Sequence, residues 1–521
     1  MLLKPRPLPG RFQKHGTLTR PPQRRRVVLM TIQTKLACVA AVVCATAFPT
    51  PADEAPLKAQ AAKALGRAVA FYRHKVAAHG GYVYTYSADL AKREGEGKVG
   101  LDTVWVEPPG TPAVGMAYVE AYERIKQAGA TAKPLAAVLE EAARAAGECL
   151  IRGQLRSGGW AGSIEFEPKT RAKHAYRVEA APKGEKKQRN VSTFDDDKTQ
   201  SAIRFLVRLD QALAFKDARV HETVTFALES VLKAQYPNGA WGQGWEEFPE
   251  PAKFPVKRAG YPQSWPRTYP GGRYWFYYTF NDNAVADTID TLLLAAEVYG
   301  QASYRQAALK AGEFILLAQM PDPQPAWAQQ YDYDMHPVWA RKFEPPAISG
   351  GESQGILRTL MRLYVETGDR KFLAPVPRAI AYFRRSLLGD GRLARFYELR
   401  TNKPLYFTRK YELTYDDSDT PTHYAFKVSS RLDELSRQHD KLAAMTGEQL
   451  AELRRPKSDR PRAASLEAQV RKVIAAMDER GAWVEDGKLR YHGEADDTRR
   501  VIESTTFTRN ITLLARYLAA Q

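Results

Sequence analysis

One short pattern recurs along the chain and limits its fold more than any other. A helical stretch ends, a Gly follows, and an aromatic or apolar residue comes two positions later. It reads "HGGYVY" at 79–84, "RSGGWAG" at 156–162, "YPNGAWGQ" at 236–243, "GDGRLAR" at 389–395 and "RGAWVEDG" at 480–487, with "QPAWAQQ" at 324–330 as a variant carrying Pro. Gly permits the left-handed conformation that ends a helix, and the aromatic folds back onto the core. The turns lie roughly 70–90 residues apart, the length of one or two helical hairpins.

The segments between them, such as "TPAVGMAYVEAYERIKQAG", "PLAAVLEEAARAAGECLIRGQ" and "YRQAALKAGEFILLAQM", carry apolar residues at helical spacing. No alternating β-branched run is long enough for a large sheet. Hairpins repeated around a ring predict an all-α chain, an α/α toroid in the form of an incomplete barrel with long functional loops and little β structure. In such a ring the inner helices present their N-termini and connecting loops on one face.

The first fifty residues stand apart from this pattern. Residues 1–29 are basic and rich in Pro. Lys35 then precedes an apolar run from Leu36 to Phe48, and Thr50-Pro51-Ala52 follows as a cleavage site. Residues 1–52 therefore read as an N-terminal extension plus a secretory signal with Met30 as the true start, which predicts a secreted or periplasmic protein. The run is too short to span a bilayer, so no stable membrane association is expected after processing. Cys38 and Cys44 fall within the signal, leaving Cys149 and no internal disulfide.

Nine of the 77 Lys and Arg and none of the 59 acids lie in residues 1–52, so the formal charge falls from +18 to +9 beyond them. That balance suits a polyanionic ligand without requiring one. No nucleic-acid motif accompanies it. A monomer is expected. The remaining chain divides into N-terminal hairpins over 53–139, a catalytic core over 140–425 and C-terminal hairpins over 426–521.

Three polar clusters each open a helix. Asp195, Asp196 and Asp197 stand in "STFDDDKTQSAIRF", Asn281, Asp282 and Asn283 in "YTFNDNAVADTI", and Ser349 and Glu352 in "AISGGESQGIL". Asn and Asp are favoured helix caps, and Ser349 and Glu352 have capping-box spacing. Two acidic helix starts facing one cleft also suit a hard cation, with Asp195, Asp196 and Asp282 as oxygen donors for calcium. The loop over 236–280 carries Trp241, Trp245, Trp265 and Trp275 and reads either as a packed surface loop or as a platform for sugar rings. Arg341, Arg395, Arg400 and Arg409 lie in loops, where guanidinium suits carboxylate recognition.

Several of these stretches, "QYPNGAWGQ", "YTFNDNAVAD", "WAQQYD…ARKFEPPAISGGESQGI", "ARFYELRTNKPLY" and "STFDDDKT", resemble polysaccharide lyase family 10, the pectic acid lyases, in the family's order and over roughly residues 140–425. The resemblance implies a pectate lyase that cleaves polygalacturonate by calcium-assisted β-elimination. It implies Asp195 and Asp282 at the metal, with Asp196 beside them, Arg341 as the base, and Arg395 and Arg409 on substrate carboxylates. Asn402, Trp241 and Lys198 complete the expected substrate-binding set. Departures from the family pattern are concentrated in "DDDKT", where Asp196 replaces an amide and Lys198 appears, and in "GGWAGS" and "TRKY".

Three other readings fit the same features. An α/α-toroid glycoside hydrolase would pair Asp282 with Glu352 or Glu344. A terpenoid-cyclase-like toroid would use "FDDDK". An inactive homologue would bind uronates without turnover.

Overall fold

The computed structural model describes residues 51–127, 133–181, 187–455 and 462–520. The secretory signal, with Cys38 and Cys44, lies almost wholly outside them. The first helices are α1 (Pro51–Phe71), α2 (Thr111–Lys126), α3 (Lys133–Gly153) and the single turn α4 (Pro168–Arg171). Next come α5 (Lys198–Ala212), α6 (Ala218–Lys233), α7 (Ala284–Tyr299), α8 (Ala302–Ala318), α9 (Glu352–Thr367) and α10 (Pro375–Arg385). The chain closes with α11 (Leu432–Ala443), α12 (Gly447–Arg454), α13 (Glu467–Ala475) and α14 (Ser504–Leu518). None of the described helices is long and apolar enough to cross a membrane.

The helices form two concentric rows. The inner row runs α14, α2, α5, α7, α9, α11, each packed on the next. The outer row runs α13, α1, α3, α6 and α8 and continues to α10, whose Pro375 O accepts from Gln319 at the end of α8. This is the expected α/α toroid, with a main apolar core running from Leu57 to Ala520 and a smaller second cluster around Trp339, Phe343 and Phe407. Short connections join α5 to α6 and α7 to α8. The long loops therefore all fall at the end where outer helices finish and inner helices begin.

The recurring turn explains how each hairpin docks on its neighbour. The last carbonyls of a helix have no partner within it. The Trp160 indole donates to Leu150 O at 2.8 Å, Trp241 to Val231 O at 2.9 Å, Trp327 to Ile315 O at 2.8 Å and Trp483 to Val473 O at 2.9 Å. Each therefore satisfies a carbonyl in the last turn of its own outer helix. Trp241, expected to bind substrate, is 1% exposed and committed to this bond; it is core, with no face free for a sugar. Gln154, Gln235 and Gln319 add a second stitch. Each side-chain amide donates within its own turn and also to the next outer helix, at Thr223 O, Ala307 O and Pro375 O.

Gly239 shows why the turn requires Gly. Its φ is +94°, and a Cβ there would lie 2.1 Å from Lys310 O on α8.

The ring is joined through its termini. Strand Thr85–Ser87 pairs antiparallel with Arg500–Glu503, so the last inner helix follows directly from a strand held by the first hairpin. Glu503 accepts from Thr85 Oγ1 at 3.0 Å, and burial, with the Glu485 carboxylate adding to it, pushes its acid up to about 7.

Two outcomes are expected. Gly239→Ala combines a left-handed φ with a backbone clash and should lower stability by about 3 kcal/mol in urea unfolding. The folded protein binds the Glu503 proton more tightly than the unfolded chain does. This contribution is thus complete below the unfolded value of about 4.5 and lost as pH rises through about 7. Glu503→Gln should flatten the stability profile across that window, as read by melting temperature against pH.

Candidate active site

Two inner helices start from the same turn. In the first, Thr193 Oγ1 accepts the Asp195 N–H at 3.0 Å, and Asp196 and Asp197 take φ of +49° and +63°. In the second, Thr279 Oγ1 accepts the Asn281 N–H at 3.1 Å, and Asp282 and Asn283 take +48° and +57°. Phe194 and Phe280 anchor the two turns in the core, and their N–H groups donate to Gln243 O and Gln329 O at 2.7 and 2.9 Å. Asp and Asn tolerate left-handed backbone better than most residues.

The turn corrects the capping expectation. Asp197 and Asn283 occupy the N-cap positions and make no side-chain cap bond. Asp197 instead pairs with Arg204 farther along its own helix. The third helix start is capped in part: Ser349 Oγ accepts from the N–H groups of Gly351 and Glu352, both at 3.2 Å. The reciprocal half of the box is missing because the Ser349 N–H donates to Trp327 O at 2.8 Å. The Glu352 carboxylate instead meets the Ser349 hydroxyl and Arg395, the latter at 3.2 Å.

Side chains from three hairpins meet here. Carboxylate oxygens of Asp195, Asp196 and Asp282 lie within 4.8 Å of one another. Arg341 reaches into the group, with Nη2 at 2.6 Å from Asp282 Oδ2 and 3.5 Å from Asp195 Oδ1. Gln243 Nε2 bridges the same two acids, donating to Asp195 Oδ1 at 2.6 Å and Asp282 Oδ2 at 3.3 Å. Behind Arg341, the buried Glu344 accepts its backbone N–H at 3.0 Å and the Tyr424 hydroxyl at 3.0 Å. Arg395 lies 4.8 Å over the Tyr424 ring and donates to Ala425 O at 2.7 Å.

A second cation enters from below. Lys198 Nζ is 2.7 Å from Asp195 Oδ2, 2.9 Å from Glu107 Oε2 and 3.9 Å from Asp196 Oδ2. Glu96, Glu107 and Asp196 form a second close group of carboxylates that shares Asp196 with the first.

The electrostatics follow from this crowding. Burial would raise the Asp195 acid, but Lys198 and Arg341 outweigh it and hold it at about 2. Asp282 is pushed well above the usual carboxylate range, first by burial and then by Asp196 and Asp195, against the pull of Arg341. Burial would lower Arg341, yet Glu344, Asp282 and Asp195 keep its guanidinium protonated. Glu96 is raised to about 7 by burial and by Glu107.

Of the remaining expected substrate contacts, Arg409 pairs with Asp419 at 3.3 Å and is exposed. Asn402 is tied into a structural turn with Gln324, Ser386 and Tyr382. Gln243, Glu107, Glu96 and Tyr424 escaped the sequence reading. The repeated "W-x-Q" of 241–243 and 327–329 is the one pattern that marks Gln243; nothing local marks Glu107.

The family model for pectic acid lyase matches residues 154–393, a little under half of the chain. This stretch is similar to the pectic acid lyases. It carries the turns of Asp195 and Asp282 together with Arg341, and it places the protein among the polysaccharide lyases. No curated protein sequence matches the chain. Among solved structures, a family 10 polysaccharide lyase from Cellvibrio cellulosa is 20% identical, with TM-score 0.42, over 57% of this chain and 92% of that one. A variant of that lyase in complex with trigalacturonic acid is 20% identical, with TM-score 0.41 and the same coverage. A GH76 α-mannanase from Bacteroides thetaiotaomicron is 10% identical, with TM-score 0.37, over 89% and 95% of the two chains.

The oxygen set of Asp195, Asp196 and Asp282 fits a hard cation such as calcium in donor type and spacing. Its lone pairs are at present shared with Lys198, Arg341 and Gln243.

Glu107 holds the buried Lys198 ammonium from outside the matched stretch. Glu107→Ala should cost about 3 kcal/mol in urea unfolding, because it leaves Lys198 short of a buried partner.

Proposed function

We propose that the protein is exported and, as a monomer, cleaves polygalacturonate or a related acidic polysaccharide by β-elimination, leaving an unsaturated sugar at the new end. The observation that carries the reading is Arg341 bridging Asp282 and Asp195, groups delivered by separate hairpins within the pectic acid lyase stretch. The trigalacturonic acid bound by a variant of the Cellvibrio lyase names the substrate class to try first.

The reaction removes the C5 proton of a uronate and expels the sugar linked at C4. Charge accumulates on the uronate carboxylate as the proton leaves, so groups that counter it there act on the transition state. Calcium, when bound at Asp195, Asp196 and Asp282, would supply that positive charge. Arg395, held over Tyr424 and anchored to Ala425 O, would orient the carboxylate. Arg409, exposed at the rim, would take a carboxylate farther along the chain.

Arg341 is the group assigned to the C5 proton. In this structure it is a donor, and its three acidic neighbours oppose loss of its own proton. Any partner that engages Asp282 and Asp195 removes part of that opposition and brings the neutral form within reach. The acids around Arg341 thus tie its basicity to occupation of the site.

The test is incubation of the full chain with polygalacturonate, with calcium or with chelator, following the ultraviolet absorbance of the new C4–C5 double bond. Absorbance should rise, and Arg341→Ala should lower the rate by roughly 10²–10⁴-fold. Arg409→Ala should raise KM with little change in kcat. New reducing ends without absorbance would replace the lyase reading with a hydrolase. Binding that survives Arg341→Ala with no turnover in the wild type would leave a uronate-binding protein.

A further inference from the structure

Lys198 has no step in the mechanism above, yet it is the most enclosed of the three cations at the site. Its side chain is 6% exposed, against 22% for Arg341 and 21% for Arg395. A buried ammonium requires close anionic partners, and Lys198 takes two of them, Asp195 and Asp196, from the oxygen set that suits a divalent cation. The third partner, Glu107, lies between strand Thr103–Trp105 and α2, has a side chain only 1% exposed, and belongs to the first hairpin.

The geometry is that of a fixed competitor. Lone pairs of Asp195 directed at an ammonium are not directed at a metal, and two cations a few ångströms apart repel. Glu107 holds the ammonium at 2.9 Å from outside the oxygen set of Asp195, Asp196 and Asp282, so the position does not depend on the lyase motifs alone. Lys198 begins α5 immediately after the left-handed turn of Asp196 and Asp197, which fixes where its side chain starts.

Building on the lyase reading, we propose that Lys198 is a tethered cation sharing the place a divalent ion would take. The carboxylate cluster then stays assembled without metal, and calcium binds weakly against the lysine.

The test compares the full-length wild type with Lys198→Met and Lys198→Arg. Calcium affinity is measured by titration calorimetry, and melting temperature is measured in chelator and in millimolar calcium. Lys198→Met should bind calcium at least about tenfold more tightly than the wild type. It should also melt lower in chelator and regain most of the loss in calcium, because binding to the folded state alone stabilises it. Lys198→Arg, which keeps the charge, should retain weak binding. If Lys198→Met does not stay folded in chelator, refolding with and without calcium is compared: recovery confined to calcium supports the proposal, and equal recovery or none overturns it. Calcium binding by Lys198→Met no tighter than by the wild type also overturns it.

Turnover does not enter these measurements. A protein inert towards polygalacturonate that still shows the calcium gain in Lys198→Met loses the lyase reading and keeps this one. Unsaturated product without that gain gives the reverse.

Discussion

The unsatisfied carbonyls at the end of each outer helix are the constraint from which the rest of the architecture follows. A helix that ends in a packed interior must find donors for those groups. Four indoles supply them from within the next turn, and three Gln amides tie the turn to the neighbouring outer helix. The chain is thereby sent inward after each outer helix, and the next inner helix always begins at the same face. Gly481 meets Arg67 O as Gly239 meets Lys310 O, so the last hairpin docks on the first by the same device.

What that face presents depends on the backbone at two helix starts. A helix begun with an ordinary side-chain cap turns its Asp or Asn oxygen onto its own N–H groups. Left-handed residues at 196–197 and 282–283 give up that bond; the carboxylates of Asp196 and Asp282 join the cluster with Asp195, while Asp197 pairs with Arg204 of its own helix. Strained backbone of this kind is stabilised elsewhere, here by Phe194 and Phe280 in the core and by the Thr193 and Thr279 hydroxyls. Six carboxylates (Asp195, Asp196, Asp282, Glu107, Glu344 and Glu352) then surround Lys198, Arg341 and Arg395. The surplus of acid favours a further cation before it favours an anionic sugar.

Much of this was legible in the sequence because it is local. Gly and an aromatic at fixed spacing give the turns, and periodic apolar residues give the helices. The recurrence of Asp-rich helix starts gives the meeting of Asp195, Asp196 and Asp282. The errors come from residues whose type suits two environments. Trp241 satisfies a buried carbonyl as readily as it stacks on a sugar, and only its burial decides. Asn281–Asn283 reads as a cap because sequence does not report the sign of φ. Lys198 reads as a substrate contact, yet in the fold its ammonium is taken up by Asp195, Glu107 and Asp196. Its most buried partner, Glu107, lies 91 positions away, and an ion pair at that separation has no period to betray it.

The placement of Glu107 also determines what counts as the working unit. Residues 154–393 contain both acidic turns, Lys198, Arg341, Glu344 and Glu352, yet they exclude Glu107, Arg395 and Tyr424. Tyr424 donates to Glu344, the acid behind Arg341, and underlies Arg395, so both guanidiniums take their positions in part from beyond the matched stretch. Lys198, an ammonium buried inside that stretch, depends for its charge balance on a carboxylate from the first hairpin. The first hairpin is in turn held through strand pairing with the segment before α14. The three cations of the site therefore have all their partners only when the ring is assembled from both ends, and the flanking hairpins belong to the site's electrostatics as much as to its shape.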